Sequence, residues 1–274
     1  MSDDDLVLIE RKDPGIAILT LNRPDRMNAW TGALSAAYFK RLDECEADDS
    51  VKVIVITGAG RGYCAGADMD NLAAAGAAQG QGAGGESPVA SAEHRDVWET
   101  TKVSKPTICA INGACAGIGL VQALMCDVRF AAADAKLTTA FARRGLVAEH
   151  GISWVLPRLV GPARALDLLL SGRVVLGDEA AALGLVNRAL PADRVLDEAM
   201  AYARDLAVNC APSSMAAMKR QVYADLEGSL EAALAEANRL MADSLQADDF
   251  REGVASFLER RPPEFAPLAT EVRA

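Results

Sequence analysis

Two apolar runs, Val51 to Thr57 and Pro106 to Ile111, each lead into a cluster of glycines, and that pairing constrains the fold more than any other feature of the chain. The first run is rich in β-branched residues and bounded by Asp48-Asp49-Ser50 and Gly58, which marks a buried strand. Its glycine cluster reads Thr57-Gly58-Ala59-Gly60-Arg61-Gly62-Tyr63-Cys64-Ala65-Gly66-Ala67-Asp68-Met69. The second reads Asn112-Gly113-Ala114-Cys115-Ala116-Gly117-Ile118-Gly119 and runs on toward Cys126-Asp127. Each is expected to leave its strand, turn and enter a helix. Glycines in such turns admit positive φ and let backbone N–H groups face a ligand at close range.

The rest of the chain fits an α/β class, because strand and helix signals alternate. Val7-Leu8-Ile9 and Ile16 to Leu21 flank a turn at Asp13-Pro14-Gly15 and read as an opening hairpin. Leu34, Tyr38 and Leu42 recur at four-residue spacing within Thr31 to Cys45, a helical period. Val128 to Ala131 is a further strand. After Pro157 the chain reads as almost wholly helical, with segments at Ala163 to Leu170, Asp178 to Leu183, Leu196 to Val208, Ser213 to Leu226 and Leu230 to Leu245. In the last of these Leu230, Leu234, Ala237, Met241 and Leu245 form an apolar face suited to another subunit. The length of 274 residues suits one large domain with an appendage, divided as a core over residues 1–195 and a helical oligomerisation region over 196–274.

Residues 73–92 differ in character, with Gly76, Gly80, Gly82, Gly84 and Gly85 followed by Ser87-Pro88. Such a composition cannot build a packed core. Two readings stand for this loop, a tolerated surface insertion and a lid or pocket wall.

A net charge of −10 argues against binding to nucleic-acid phosphates or anionic lipid, both of which need clustered Lys and Arg. Met1-Ser2-Asp3-Asp4-Asp5 is acidic where a secretory signal is basic then apolar, and no apolar stretch approaches the roughly 18 residues that span a bilayer. A cytoplasmic protein is expected. Cys45, Cys64, Cys109, Cys115, Cys126 and Cys210 are scattered and show no C-x-x-C pair, so they read as reduced core residues and no metal site is expected.

The chemistry must come from the two glycine turns. A dinucleotide fingerprint fails at Tyr63, and no Gly-Lys-Ser/Thr follows to make a P-loop. Two strand-to-helix turns can instead aim two N–H groups at one oxygen and stabilise the enolate or tetrahedral oxyanion of a thioester. Either turn by itself reads equally as tight packing.

With Leu21-Asn22-Arg23-Pro24, Asn28-Ala29, Asp249-Phe250-Arg251-Glu252-Gly253 and Phe257-Leu258-Glu259-Arg260-Arg261 added to the two turns, the chain closely resembles the enoyl-CoA hydratase/isomerase (crotonase) superfamily over nearly its whole length. The resemblance implies a spiral of ββα units with two roughly perpendicular sheets, capped by C-terminal helices that assemble trimers, often stacked as hexamers. It implies an acyl-CoA thioester substrate, with coenzyme A part of the substrate and no tightly bound cofactor. Carried over by position, the oxyanion donors are the N–H groups of Ala65 and Ile118. Arg26 matches a basic position near CoA phosphates, and Ala65, Ala67, Asp68 and Met69 match the adenine-pocket segment. Phe257 and Arg260 match C-terminal residues that reach a neighbouring subunit's CoA. For Arg26 and Arg260 the plainer reading is a solvated surface cation.

Two departures bear on the reaction. The paired glutamates of the family's hydratases fall on Val121 and Phe141, neither of which can move a proton. Glu149, just before a helix start, matches the catalytic aspartate of the dienoyl-CoA isomerases and chlorobenzoyl-CoA dehalogenases; an acid favoured only by the helix dipole is the alternative. His150 reads as structural, His94 lies in the variable segment, and Trp30, Trp98 and Trp154 read as core or pocket wall. The expectation is therefore an acyl-CoA enzyme of the hydratase/isomerase type. The alternatives are an isomerase or hydrolase that relies on Glu149, and a non-catalytic acyl-CoA-binding protein.

Overall fold

The computed structural model describes residues 5–71, 73 and 95–268. Its main sheet has six strands in the order β1 (Val7–Lys12), β2 (Ile16–Leu21), β3 (Val53–Gly58), β5 (Thr107–Ile111), β7 (Val128–Ala132) and β10 (Arg188–Leu190). Only the opening β1–β2 hairpin is antiparallel; every later neighbour is parallel. All residues of β3 and β5 are buried, as their unbroken apolar runs require. On β1 only Val7 is fully buried, and Glu10, Arg11 and Lys12 keep that edge charged, which discourages pairing with another strand.

Parallel neighbours need a crossover, and α1 (Gly32–Ala47) supplies it between β2 and β3. The Thr31 hydroxyl caps the helix by accepting the Leu34 N–H at 3.1 Å, and Leu34, Tyr38, Leu42 and Cys45 form the buried stripe. The other cover of the sheet is α6 (Val195–Asn209), whose Ala199, Ala203 and Ala207 bring the helix close against β3, β5 and β7. This helix, the first of the expected C-terminal region, packs directly on the main sheet.

The second sheet that the resemblance implies has the order β4 (Gly62–Cys64), β6 (Ala114–Ala116), β8 (Lys136–Thr138) and β9 (Val175–Leu176), four strands with no apolar period of their own. Its first three strands are parallel, and each follows a long strand of the main sheet after a turn of a few residues. Each glycine cluster therefore turns a corner into a short strand before it reaches its helix. Gly113 sits at such a corner, where a Cβ would lie 2.2 Å from the Arg61 carbonyl oxygen. The repeating strand-turn-strand unit and the mixed helices form the expected α/β spiral.

The short helix α2 (Ile118–Leu124) is wholly buried and rests on a polar network. The Gln122 Nε2 donates to the Tyr38 hydroxyl at 2.8 Å, the Tyr63 hydroxyl donates to Gln122 Oε1, and Tyr38 reaches Thr100 at 3.0 Å. Burial pushes both tyrosine hydroxyls well above their ordinary pKa, so they stay neutral donors.

Next come α3 (Ile152–Val160), α4 (Pro162–Ser171) and α5 (Gly177–Leu183). The helical region begins at Ile152, with Pro157 inside α3, rather than after Pro157. The chain closes with α7 (Pro212–Asp225), α8 (Leu230–Ser244) and α9 (Asp248–Glu259). No residue of α8 is buried, and Leu230 and Phe257 are each 81% exposed. Most of loop 73–92, and His94 with it, lies outside the described residues. Among those described, no helix is long and apolar enough to cross a membrane and no cluster of His, Cys, Asp and Glu could hold a metal ion.

Candidate active site

The two glycine turns meet above α2. A Cβ on Gly66 would lie 3.0 Å from the Ala116 carbonyl oxygen, and one on Gly119 would lie 2.6 Å from the Cys64 Cβ. Only glycine lets the turns close to this distance.

Backbone pairing decides which amides of the first turn are free. The Trp30 N–H donates to the Gly66 carbonyl at 2.7 Å, and the Asp68 N–H donates to the Trp30 carbonyl at 3.0 Å. Ala67 is thus the parallel-bridge partner of Trp30, and its own N–H points away from that partner, with no acceptor among the described residues. The Ala65 N–H is occupied, donating to the Met27 carbonyl at 3.0 Å. The assignment of Ala65 as a donor to substrate is therefore corrected: the free amide is two residues on, at Ala67.

In the second turn Gly117, at φ 51° and ψ −128°, reverses the chain between β6 and α2. Its N–H donates to the Thr138 carbonyl at 3.1 Å, while the Val121 N–H closes the first turn of the helix onto Gly117 at 3.0 Å. Ile118 is the first helical residue, so its N–H has no partner within the helix.

Ala67 and Ile118 front one cavity of about 370 Å³. Its walls also include Trp30, Phe141, Arg144, Leu146, Glu149 and His150, together with Asp25, Arg26, Met69 and Asp70. Val121 is fully buried and is not part of the wall; Phe141 is, as an apolar surface. Neither position brings a carboxylate to the cavity. Glu149 does, 38% exposed and three residues ahead of α3.

The sequence reading missed what holds that corner. His150 is left-handed at φ 55°, as is Gly151 at φ 78°, and the double turn swings the imidazole toward Asp96. His150 Nδ1 lies 3.2 Å from both Asp96 oxygens, and its Nε2 lies 3.8 Å from Glu149 Oε2. A side chain left-handed in sequence has no local signature, and Asp96 lies 54 residues away. Trp30 also contributes to the wall, with its Nε1 buried and lacking an acceptor.

Beside Ala67, Asp68 is buried and paired with Arg23 at 3.1 Å. Burial alone would push its carboxyl up, but the Arg23 hydrogen bond, the Asp70 N–H and the charge of Arg26 together hold it below the usual carboxylate range. Asp68 therefore braces the turn. Arg26 is exposed and reaches Asp70, with Asp68 at 3.9 Å. Phe257 and Arg260 do not line the cavity of their own chain. The Cys64 thiol behind the turn is pushed up to about 12, chiefly by burial, and is no nucleophile at neutral pH.

A model of the enoyl-CoA hydratase/isomerase family matches residues 11–267. The 1,2-epoxyphenylacetyl-CoA isomerase of Escherichia coli K12 is 33% identical over 264 residues, 94% of this chain and 97% of that one. A probable enoyl-CoA hydratase/isomerase from Mycobacterium abscessus superposes with a TM-score of 0.86 at 31% identity, over 96% of this chain and 99% of that one. An enoyl-CoA hydratase from Mycobacterium marinum is 51% identical, with a TM-score of 0.67 over 80% of this chain and 97% of that one. The chain belongs to the enoyl-CoA hydratase/isomerase family. It is an acyl-CoA-processing enzyme of the crotonase fold.

Proposed function

We propose that the enzyme isomerises an acyl-CoA by enolate chemistry, with Glu149 as the base and the N–H groups of Ala67 and Ile118 as the oxyanion hole. The observation that carries this reading is one cavity bounded by two unpaired amides and one carboxylate outside the arginine cluster. Among the cavity's other described acids, Asp68 and Asp70 are tied to arginines, and Asp25 adjoins Arg26 in sequence. The Glu149 carboxylate takes a proton from the carbon next to the thioester carbonyl. The C–H electron pair moves into the enolate, whose oxygen accepts from the two amides, and the proton returns at another carbon. Each donor of such a hole is worth ~100-fold or more in rate. Coenzyme A arrives as part of the substrate, and no resident cofactor is called for. The absence of acids at Val121 and Phe141 supports isomerisation over hydration, and the relatives include a 1,2-epoxyphenylacetyl-CoA isomerase beside enoyl-CoA hydratases.

The test compares two reactions of purified enzyme: double-bond migration in a 3-enoyl-CoA and water addition to crotonyl-CoA, both followed by thioester absorbance. Migration is expected to exceed hydration ~100-fold or more, because hydration needs a second acid–base group to position water. Efficient hydration of crotonyl-CoA would overturn the reading.

Arg26 is proposed to meet the CoA phosphates by exchanging its carboxylate partners for them. Arg26→Ala is expected to weaken acyl-CoA binding by about tenfold, the worth of one charge-assisted hydrogen bond, and to flatten the loss of affinity with rising salt. Calorimetry at two ionic strengths checks this; unchanged affinity at both removes Arg26 from the site.

The C-terminal helices are proposed to assemble a trimer or hexamer that brings Phe257 and Arg260 to a neighbour's CoA. Leu234, Met241, Leu245, Phe250, Val254 and Leu258 are exposed as well as Leu230 and Phe257, a concentration of large apolar side chains in the last two helices that suits a subunit contact. Light scattering at micromolar concentration is expected to give three or six chains, and a stable monomer overturns the proposal.

A further inference from the structure

Glu149 stands at the end of a row of three titratable side chains drawn from two separate parts of the chain. Asp96 opens the 3₁₀ turn Val97–Lys102 and is held by a reciprocal capping box, in which its carboxylate accepts the Glu99 N–H while Glu99 accepts the Asp96 N–H at 3.3 Å. Arg95 anchors Glu99 in turn, at 3.2 Å. Asp96 can only accept, so the His150 Nδ1 between its two oxygens carries a proton. In the neutral ring that leaves the lone pair on Nε2, the nitrogen that faces Glu149 at 3.8 Å. The row opens toward the cavity, from His150 at 11% exposure to Glu149 at 38%. The left-handed backbone of His150 is a conformation that a bulky side chain adopts only at a cost, and here it is what directs the ring along this row.

We infer that His150, oriented by Asp96, relays the substrate proton to and from Glu149, so that the hydrogen taken from one carbon can exchange with solvent before it is returned at another. The inference rests on Glu149 being the base. After Glu149 has taken the α-proton, its carboxyl O–H passes that proton to His150 Nε2. The carboxylate is regenerated and an imidazolium forms between Asp96 and Glu149, two anions that stabilise it. The reverse transfer returns a proton to Glu149 for delivery to carbon, and the imidazolium can exchange its proton with water in between. The gap of 3.8 Å is one that closes by a small rotation of the Glu149 side chain when substrate excludes water. His150 is on this account a positioning and relay residue, which acts through Glu149.

The relay separates two quantities that a structural role for His150 leaves together: turnover, and the origin of the hydrogen in the product. In D2O, isomerisation of 3-hexenoyl-CoA by the native enzyme is expected to place solvent deuterium at C4, measured by mass spectrometry. His150→Asn keeps a donor for Asp96 and tolerates the left-handed backbone, but has no acceptor in place of Nε2. In this variant turnover is expected to fall roughly tenfold, and the product is expected to keep its original hydrogen, because Glu149 returns the proton it took. Asp96→Asn, which removes the charge that stabilises the imidazolium, is expected to shift the deuterium content the same way. Unchanged deuterium content in both variants overturns the relay while leaving Glu149 as the base. Exchange that survives Glu149→Gln overturns the underlying assignment, and absence of turnover in the native enzyme overturns both.

Discussion

Replacing Glu149 by glutamine is expected to abolish acyl-CoA turnover, with a loss of ~100-fold to 10,000-fold, while leaving CoA binding nearly intact. Glutamine preserves the size and hydrogen-bonding capacity of the side chain but cannot take a proton. Of the residues proposed to bind CoA, Arg26 pairs with Asp70, whereas the ionic neighbour of Glu149 is His150, so the substitution leaves them in place. A fall in kcat at constant binding affinity is the signature of a group that acts in the transition state. Full activity in the variant would show that Glu149 is only an acid at the start of α3. Tight acyl-CoA binding by a native enzyme that turns over no substrate would favour the binding-protein reading instead.

The second large effect is expected at Gly119, which touches no substrate. A Cβ there would lie 2.6 Å from both the Cys64 Cβ and Sγ and 2.7 Å from the Cys64 carbonyl oxygen. These atoms belong to a buried strand of the second sheet and cannot move aside as the end of a flexible side chain can. Gly119→Ala must therefore push the two turns apart, and with them the amides of Ala67 and Ile118. Displacement of a catalytic group by ~1 Å costs ~100-fold in rate, and overpacking of a tight core costs about 1–3 kcal/mol in stability. Steady-state kinetics and thermal denatureation together are expected to show both losses. Native rate and native melting temperature would mean that the turns are not held in register by this contact.

Cys64 and Gly119 also explain why the buried network under α2 matters to the site. Gln122 joins Tyr38 and Tyr63 beneath the helix, so the helix start that presents Ile118 is held from below by hydrogen bonds and from above by the Cys64 contact. A fully satisfied polar cluster of this kind fixes one arrangement of its neighbours.

Long-range structure was legible wherever a signal repeats along the chain. Ile16 to Leu21, the buried strands ending near Gly58 and Ile111, and the helix over Leu34 to Cys45 stand where their apolar patterns put them, because each is long enough to show a period. The absence of acids at Val121 and Phe141 and the candidacy of Glu149 came from the resemblance to the family, carried over position by position. The strands of the second sheet could not be read from the residues themselves, since strands of two or three residues carry no period and exist only because the long strands beside them bring their backbones together. The same reason separates Ala65 from Ala67: both follow Cys64 in one turn, but which N–H is free depends on Met27 and Trp30 pairing with that turn from more than 30 residues away. Asp96, His150 and Glu149 repeat the case in side chains. Their identities were in the sequence, but only the tertiary structure could put an acid from before the Val97 turn against a left-handed histidine, because hydrogen bonds form across space and the spacing of residues along a chain does not record them.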